Sequence, residues 1–144
     1  MSNVIDGTRS GLIGKAAAVG AALLGVVALL QLALAIGAPY GQHVWGGRSE
    51  TEVLPAGLRV ASAIGALVLV WMATVILARA DVIKAKPVPT GWLGRTTWGI
   101  TALMVLNTLG NVASESTFEQ TVFTPITAVI AILSAVVARR GPRP

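Results

Sequence analysis

Residues 12–36 form a run of 25 residues with one charge, Lys15, near its start. A helix of that length is roughly 37 Å long, enough to cross a hydrocarbon core of about 30 Å with some tilt. Three further apolar runs follow at 58–78, 92–112 and 122–138. In hydrocarbon, every backbone N–H and C=O must bond within its own segment, which restricts such runs to helix. The expected fold is therefore all-α: a polytopic membrane protein, one domain over 1–144, built as a four-transmembrane-helix bundle. The rival for the first run is a cleaved signal peptide cut near Ala38, but the run exceeds an h-region of about 7–15 residues.

Between the runs lie a loop at 37–57 with five Gly and two Pro, a polar connector at 79–91, and a short acidic loop at 113–121. Pro55 stands where the second helix should begin, a place where its missing N–H is harmless. Charged residues make up 12% of the chain; a soluble domain carries about 25%. The absence of Cys excludes disulfides and thiolate metal sites. Nine of the eleven Lys and Arg (Arg9, Lys15, Arg79, Lys84, Lys86, Arg95, Arg139, Arg140, Arg143) fall at the termini or around the middle connector. Only Arg48 and Arg59 fall at the other two loops, which hold four of the six acids. By the positive-inside rule both termini and the connector are cytoplasmic, N-in/C-in, and four spans return the chain to its starting side. The net charge of +5 thus reports topology. The expected partner is the lipid bilayer, with no nucleic acid.

Helices in lipid pack through small residues that let backbones approach. The expected contact ridges are Gly57, Ala61 and Gly65 in the second run and Ala17, Ala21 and Gly25 in the first. The same faces can also serve a homo-oligomer. Trp92 and Trp98 at one interface, with Tyr40 and Trp45 at the other, suit an aromatic belt. The two halves share a pattern of helix, Gly- and Glu-bearing loop, Pro, then a small-residue helix, consistent with duplicated hairpins in parallel orientation.

Polar residues within spans are costly and so informative. Gln31 lies about 9 Å below the first outer loop and Asn107 a similar depth below the second. The two can meet if the first and third spans are neighbours. Asn111 and Ser114 continue the line of Asn107. Two readings stand: interhelical hydrogen-bond glue, or a polar ligand pocket opening outward. Arg59 begins the second span where Glu115 and Glu119 should also lie, so either an outer ion pair or simple snorkelling is expected. His43, the only His, sits in the outer loop with Tyr40 and Trp45; one His without Cys predicts no metal site.

No charge lies mid-span, unlike the membrane-embedded Glu of the small multidrug exporters. Gly37-Ala38-Pro39-Tyr40-Gly41, Trp45-Gly46-Gly47, Leu54-Pro55 with Arg59-Val60-Ala61-Ser62, and Asn107-Thr108-Leu109-Gly110-Asn111 with Ser114, Ser116, Glu119 and Pro125 carry a resemblance. The chain resembles a group of small bacterial four-helix integral membrane proteins without known activity. The resemblance implies a multi-pass protein of the bacterial cytoplasmic (inner) membrane whose recognisable residues cluster on the outer face. The functional expectation is a non-enzymatic accessory, structural or small-ligand-binding protein without a cofactor, alone, as a homo-oligomer or with another membrane protein. The alternative is a small homo-oligomeric channel or transporter with a polar path near Gln31 and Asn107. No base, nucleophile or metal set points to an enzyme.

Overall fold

A computed structural model describes residues 2–47 and 49–141, with side chains from Ser10 onward. It contains four long helices and no strand among the described residues. They are α1 (Ser2–Ala35), α2 (Ala56–Arg79), α3 (Leu93–Val112) and α4 (Thr124–Arg140). Ser10–Ala35, Ala56–Arg79 and Glu119–Arg140 are long and apolar enough to cross a membrane. α3 falls short of that hydropathy because it carries Arg95, Asn107, Asn111 and four Thr. Its large apolar side chains nevertheless face outward, with Leu106 64% and Leu109 60% exposed.

Helix boundaries follow local chemistry. α1 runs back through the residues expected as a polar leader: no Pro interrupts them, and extending a formed helix adds a bond per residue. It stops at Gly37, whose φ of +101° suits a residue without Cβ. There Ala38 N–H bonds Ala33 O and Gly37 N–H bonds Leu34 O, a Schellman stop. Asp81 (φ +56°) ends α2 in the same way, with Val82 N–H on Leu77 O. The loop expected at 113–121 is shorter than read. Helix resumes at Thr117 and passes through a π turn, Glu119–Phe123, before α4. The wider turn lets the helix absorb Pro125, which has no N–H to donate.

α1 lies against α2 and α4, and α3 lies against α4 and, over a shorter stretch, α2. α1 and α3 are therefore diagonal, not neighbours. The main core fills the half of the bundle nearest the chain termini, around Leu24, Met72, Val75, Ile76 and Val137. A second, smaller core at the loop end holds Leu34, Val44 and Leu54. The small-residue ridges are borne out in part. Ala17 is fully buried; outside the expected ridge, a Cβ on Gly20 would lie 3.6 Å from Leu133 of α4. Gly65 faces Gln31, but Gly25 and Gly57 have no neighbour within 4 Å. Hydroxyls join α3 to α4: Thr101 and Ser134 share a bond of 2.9 Å, and Thr108 donates to Thr127 at 2.9 Å. Such bonds are worth on the order of 1 kcal/mol each in a membrane. At the terminal end, buried Arg79 donates from Nη2 to Ala138 O at 3.2 Å, tying α2 to α4.

The Gly20 contact yields a test. Gly20→Ala adds only a Cβ in ordinary contact and should leave thermal stability in detergent unchanged. Gly20→Leu must push α4 away and should cost about 1–3 kcal/mol, read as a lowered Tm. Equal melting of the two variants would show that α1 and α4 do not meet there.

Candidate functional site

Above the main core the four helices diverge around a cavity of about 340 Å³. Its floor is Met72, Met104 and Ile130, each at most 3% exposed. Its walls are largely apolar: Val27, Leu30 and Leu34 from α1, Val68 and Leu69 from α2, Leu103 from α3, and Phe123 from the π turn. Val44 and Trp45 of the first loop form its roof. The polar lining consists of Gln31, Asn107, Asn111, Thr127 and Glu119. No Lys or Arg contributes to it. Val68 is 42% exposed, Leu103 43%, and Asn107 is also exposed. The open side is therefore the gap between α2 and α3, where those helices part.

The roof is held by a polar clasp. Trp45 has φ +57°, a left-handed conformation uncommon for a bulky residue and sustained only where its surroundings dictate it. Its indole N–H donates to Ser62 Oγ of α2 at 3.2 Å. Gly46 N–H donates to Glu119 Oε2 at 3.0 Å, and Glu115 N–H donates to Gly46 O at 3.2 Å. Ser114 Oγ donates to the same Glu119 oxygen, and Ser116 Oγ donates to His43 O at 2.7 Å. At Gly47 (φ +73°) a Cβ would sit 2.8 Å from Ser116 N, so the two loops meet backbone to backbone. Buried Glu119 thus ties the first loop to the turn between α3 and α4.

The residues singled out by sequence divide into three groups. Gln31, Asn107 and Asn111 all line the cavity. Gln31 and Asn107 do not hydrogen-bond each other, because α1 and α3 sit diagonally and the cavity lies between them. Asn111 acts as glue, donating from Nδ2 to Thr127 Oγ1 at 3.3 Å. Ser114 lies behind the lining, in the clasp. Of the two readings of Arg59, ion pair or snorkelling, the pair with Glu115 or Glu119 is not formed among the described residues. Arg59 Nε donates to Ala35 O at 2.9 Å, covering a carbonyl left open at the end of α1, while Glu119 turns to Gly46. Tyr40 is exposed, and His43 packs its ring near Phe118 at 6.4 Å, so neither reaches the cavity. Trp45, expected in the outer belt, borders the cavity and is still 43% exposed. Among the described residues no cluster of three His, Cys, Asp or Glu could hold a metal.

The clasp was missed, yet it has a sequence signal. Ser116-x-x-Glu119 is a capping-box pattern. Ser116 fulfils its half, receiving Glu119 N–H at 3.3 Å on Oγ. Glu119 departs from the pattern: its carboxylate binds the other loop in place of its own helix end. Gln31 lines the cavity, yet its Oε1 is itself buried and has no hydrogen-bond partner.

Removing the clasp should loosen the roof. Glu119→Ala leaves Gly46 N–H and Ser114 Oγ unsatisfied and should cost about 1–3 kcal/mol. Deuterium exchange of the peptide covering 40–50 should rise at least several-fold, whereas Glu119→Gln, which keeps an acceptor oxygen, should fall between. Unchanged exchange in Glu119→Ala would remove the clasp from the account.

No protein-family model matches the chain, and neither a curated protein nor a solved structure shows detectable similarity to it.

Proposed function

We propose that this protein is a four-span, non-enzymatic protein of the bacterial cytoplasmic membrane that binds a small apolar ligand in its interhelical cavity. Both termini are cytoplasmic and the clasped loops face outward. The distribution of Lys and Arg supports that orientation. The outward-facing Leu and Val of α3 support a fourth span, since Thr101, Thr108 and Asn111 pair with α4 and Asn107 lines the cavity. The observation that carries the functional reading is the cavity itself. Mostly apolar walls enclose about 340 Å³ in a bundle otherwise packed through Met72, Val75, Ile76 and Val137. Ligand sites have this character: concave, largely apolar, about 300–1,000 Å³, with a few polar groups. The packed terminal half argues against a conducting path through one chain.

Two experiments test this. Reporter fusions after Lys86 and after Arg143 should report cytoplasm, and one beside Arg48 should report the outer side; an outer signal at Lys86 overturns the orientation. For the cavity, Trp71, Trp92 and Trp98 are replaced by Phe so that Trp45 reports alone. A bromoalkane should then quench Trp45 saturably, and Val68→Phe, at the half-exposed rim, should weaken that quenching several-fold. Quenching that is unsaturable and identical in both proteins would mean the cavity takes no ligand.

A further inference from the structure

We infer that the methyl end of a membrane phospholipid's acyl chain occupies the cavity, entering between α2 and α3 while its headgroup stays at the outer interface. The inference rests on the reading of the cavity as an apolar ligand site and names what fills it.

The level of the opening is the starting point. Val68 and Leu103, 42% and 43% exposed, flank the gap between α2 and α3. Each stands at the midpoint of its helix. With α2 and α3 as spans, the opening lies near the middle of the hydrocarbon core. That level has neither water nor headgroups, and the methyl ends of acyl chains fill it. The other sides are closed. Val44 and Leu54, 4% and 2% exposed, block the loop end, and the packed core around Met72, Val75, Ile76 and Val137 blocks the terminal end.

Helix register shows what a chain end meets inside. Gly65 of α2 faces Gln31 of α1. One turn further from the loops, this pairing brings Leu69 level with Val27, and both line the cavity half-buried. Across α3 and α4, Thr108 pairs with Thr127 and Thr101 with Ser134, which sets Met104 level with Ile130 and Ala131. At the level of the opening the walls are therefore apolar. Gln31, Asn107, Asn111, Thr127 and Glu119 all lie nearer the loops, Asn107 by one turn, roughly 6 Å, from Leu103.

A space lined in this way and open to hydrocarbon does not stay empty. Left empty, its lining forgoes dispersion contacts. Water finds no polar partners at that level. A chain end restores the contacts and carries no polar group to desolvate. Charge keeps the headgroup outside. No Lys or Arg lines the cavity, and the Glu119 carboxylate would meet a phosphate as a like charge. Glu119 Oε2 already holds Gly46 N–H and the Ser114 hydroxyl, which leaves it little hold on a headgroup ammonium.

The test uses the full chain in phosphatidylcholine nanodiscs doped with photoreactive diazirine probes, with labelled residues mapped after digestion. Two probes are phosphatidylcholines with the diazirine near the methyl end or near the carboxyl end of one chain. The third is a free fatty acid and the fourth a short alkane, each with a terminal diazirine. The methyl-end phospholipid should label Val27 and Leu69 several-fold more than the carboxyl-end one. Val68→Phe, which narrows the opening, should cut that labelling several-fold and leave labelling of Leu29, 69% exposed on α1, unchanged. The constant Leu29 signal shows that the variant is still folded and inserted. Equal labelling of Val27 and Leu69 by the two phospholipids, or labelling indifferent to Val68→Phe, overturns entry of a chain end through the gap. Labelling by the fatty acid and not by the phospholipid overturns the phospholipid as source. Labelling by the alkane alone overturns the inference and leaves the cavity a ligand site. No labelling of Val27 and Leu69 by any probe overturns both.

Discussion

Apolar surroundings cannot hydrogen-bond, so each polar group placed among them must find a partner inside the protein. That requirement shapes the chain at every scale. It turns the long apolar runs into helices. It sends Arg59 to the carbonyl of Ala35 at the end of α1, and Arg79 to Ala138 of α4. It pairs Thr101 with Ser134 and Thr108 with Thr127 along the α3–α4 seam. Leucine against leucine gains little when lipid is as apolar as either, so these hydroxyl pairs and the close approach at Gly20 supply much of the specificity of packing.

The same requirement explains why the clasp is built as it is. A carboxylate as buried as Glu119 needs donors, and it receives a backbone N–H from one loop and a hydroxyl from the other. Joining two segments 73 residues apart in sequence, the contact holds Trp45 over the cavity in a backbone conformation it would not adopt alone. Gln31 Oε1, by contrast, is a buried acceptor without a hydrogen-bond partner.

Much of the architecture was legible in residue order. The helical runs, the stops at Gly37 and near Arg79, and the start of α2 after Pro55 depend on local composition and backbone chemistry. Local signals can also mislead. Ser116-x-x-Glu119 marks a helix start, yet a loop reading of 113–121 follows if only polarity is weighed. Arg59 and Glu119 look like ion-pair partners by depth alone, because sequence gives position along the membrane normal and not around the bundle. The same ambiguity made Gln31 and Asn107 candidates for direct contact.

Sequence by itself determined that the chain is helical, that at least three helices can span a membrane, and that Gln31, Asn107 and Asn111 are polar residues set within apolar runs. Hydrophobic run length and charge are one-dimensional properties, and they suffice for those conclusions. Only the tertiary structure decided which helices adjoin. It placed α1 diagonal to α3, opened a cavity between Gln31 and Asn107, set Trp45 at the edge of that cavity and gave Glu119 to Gly46. Those outcomes depend on the azimuth at which each helix faces its neighbours. Azimuth is set by small-residue contacts and hydroxyl pairs between distant segments, which no single stretch of the chain encodes.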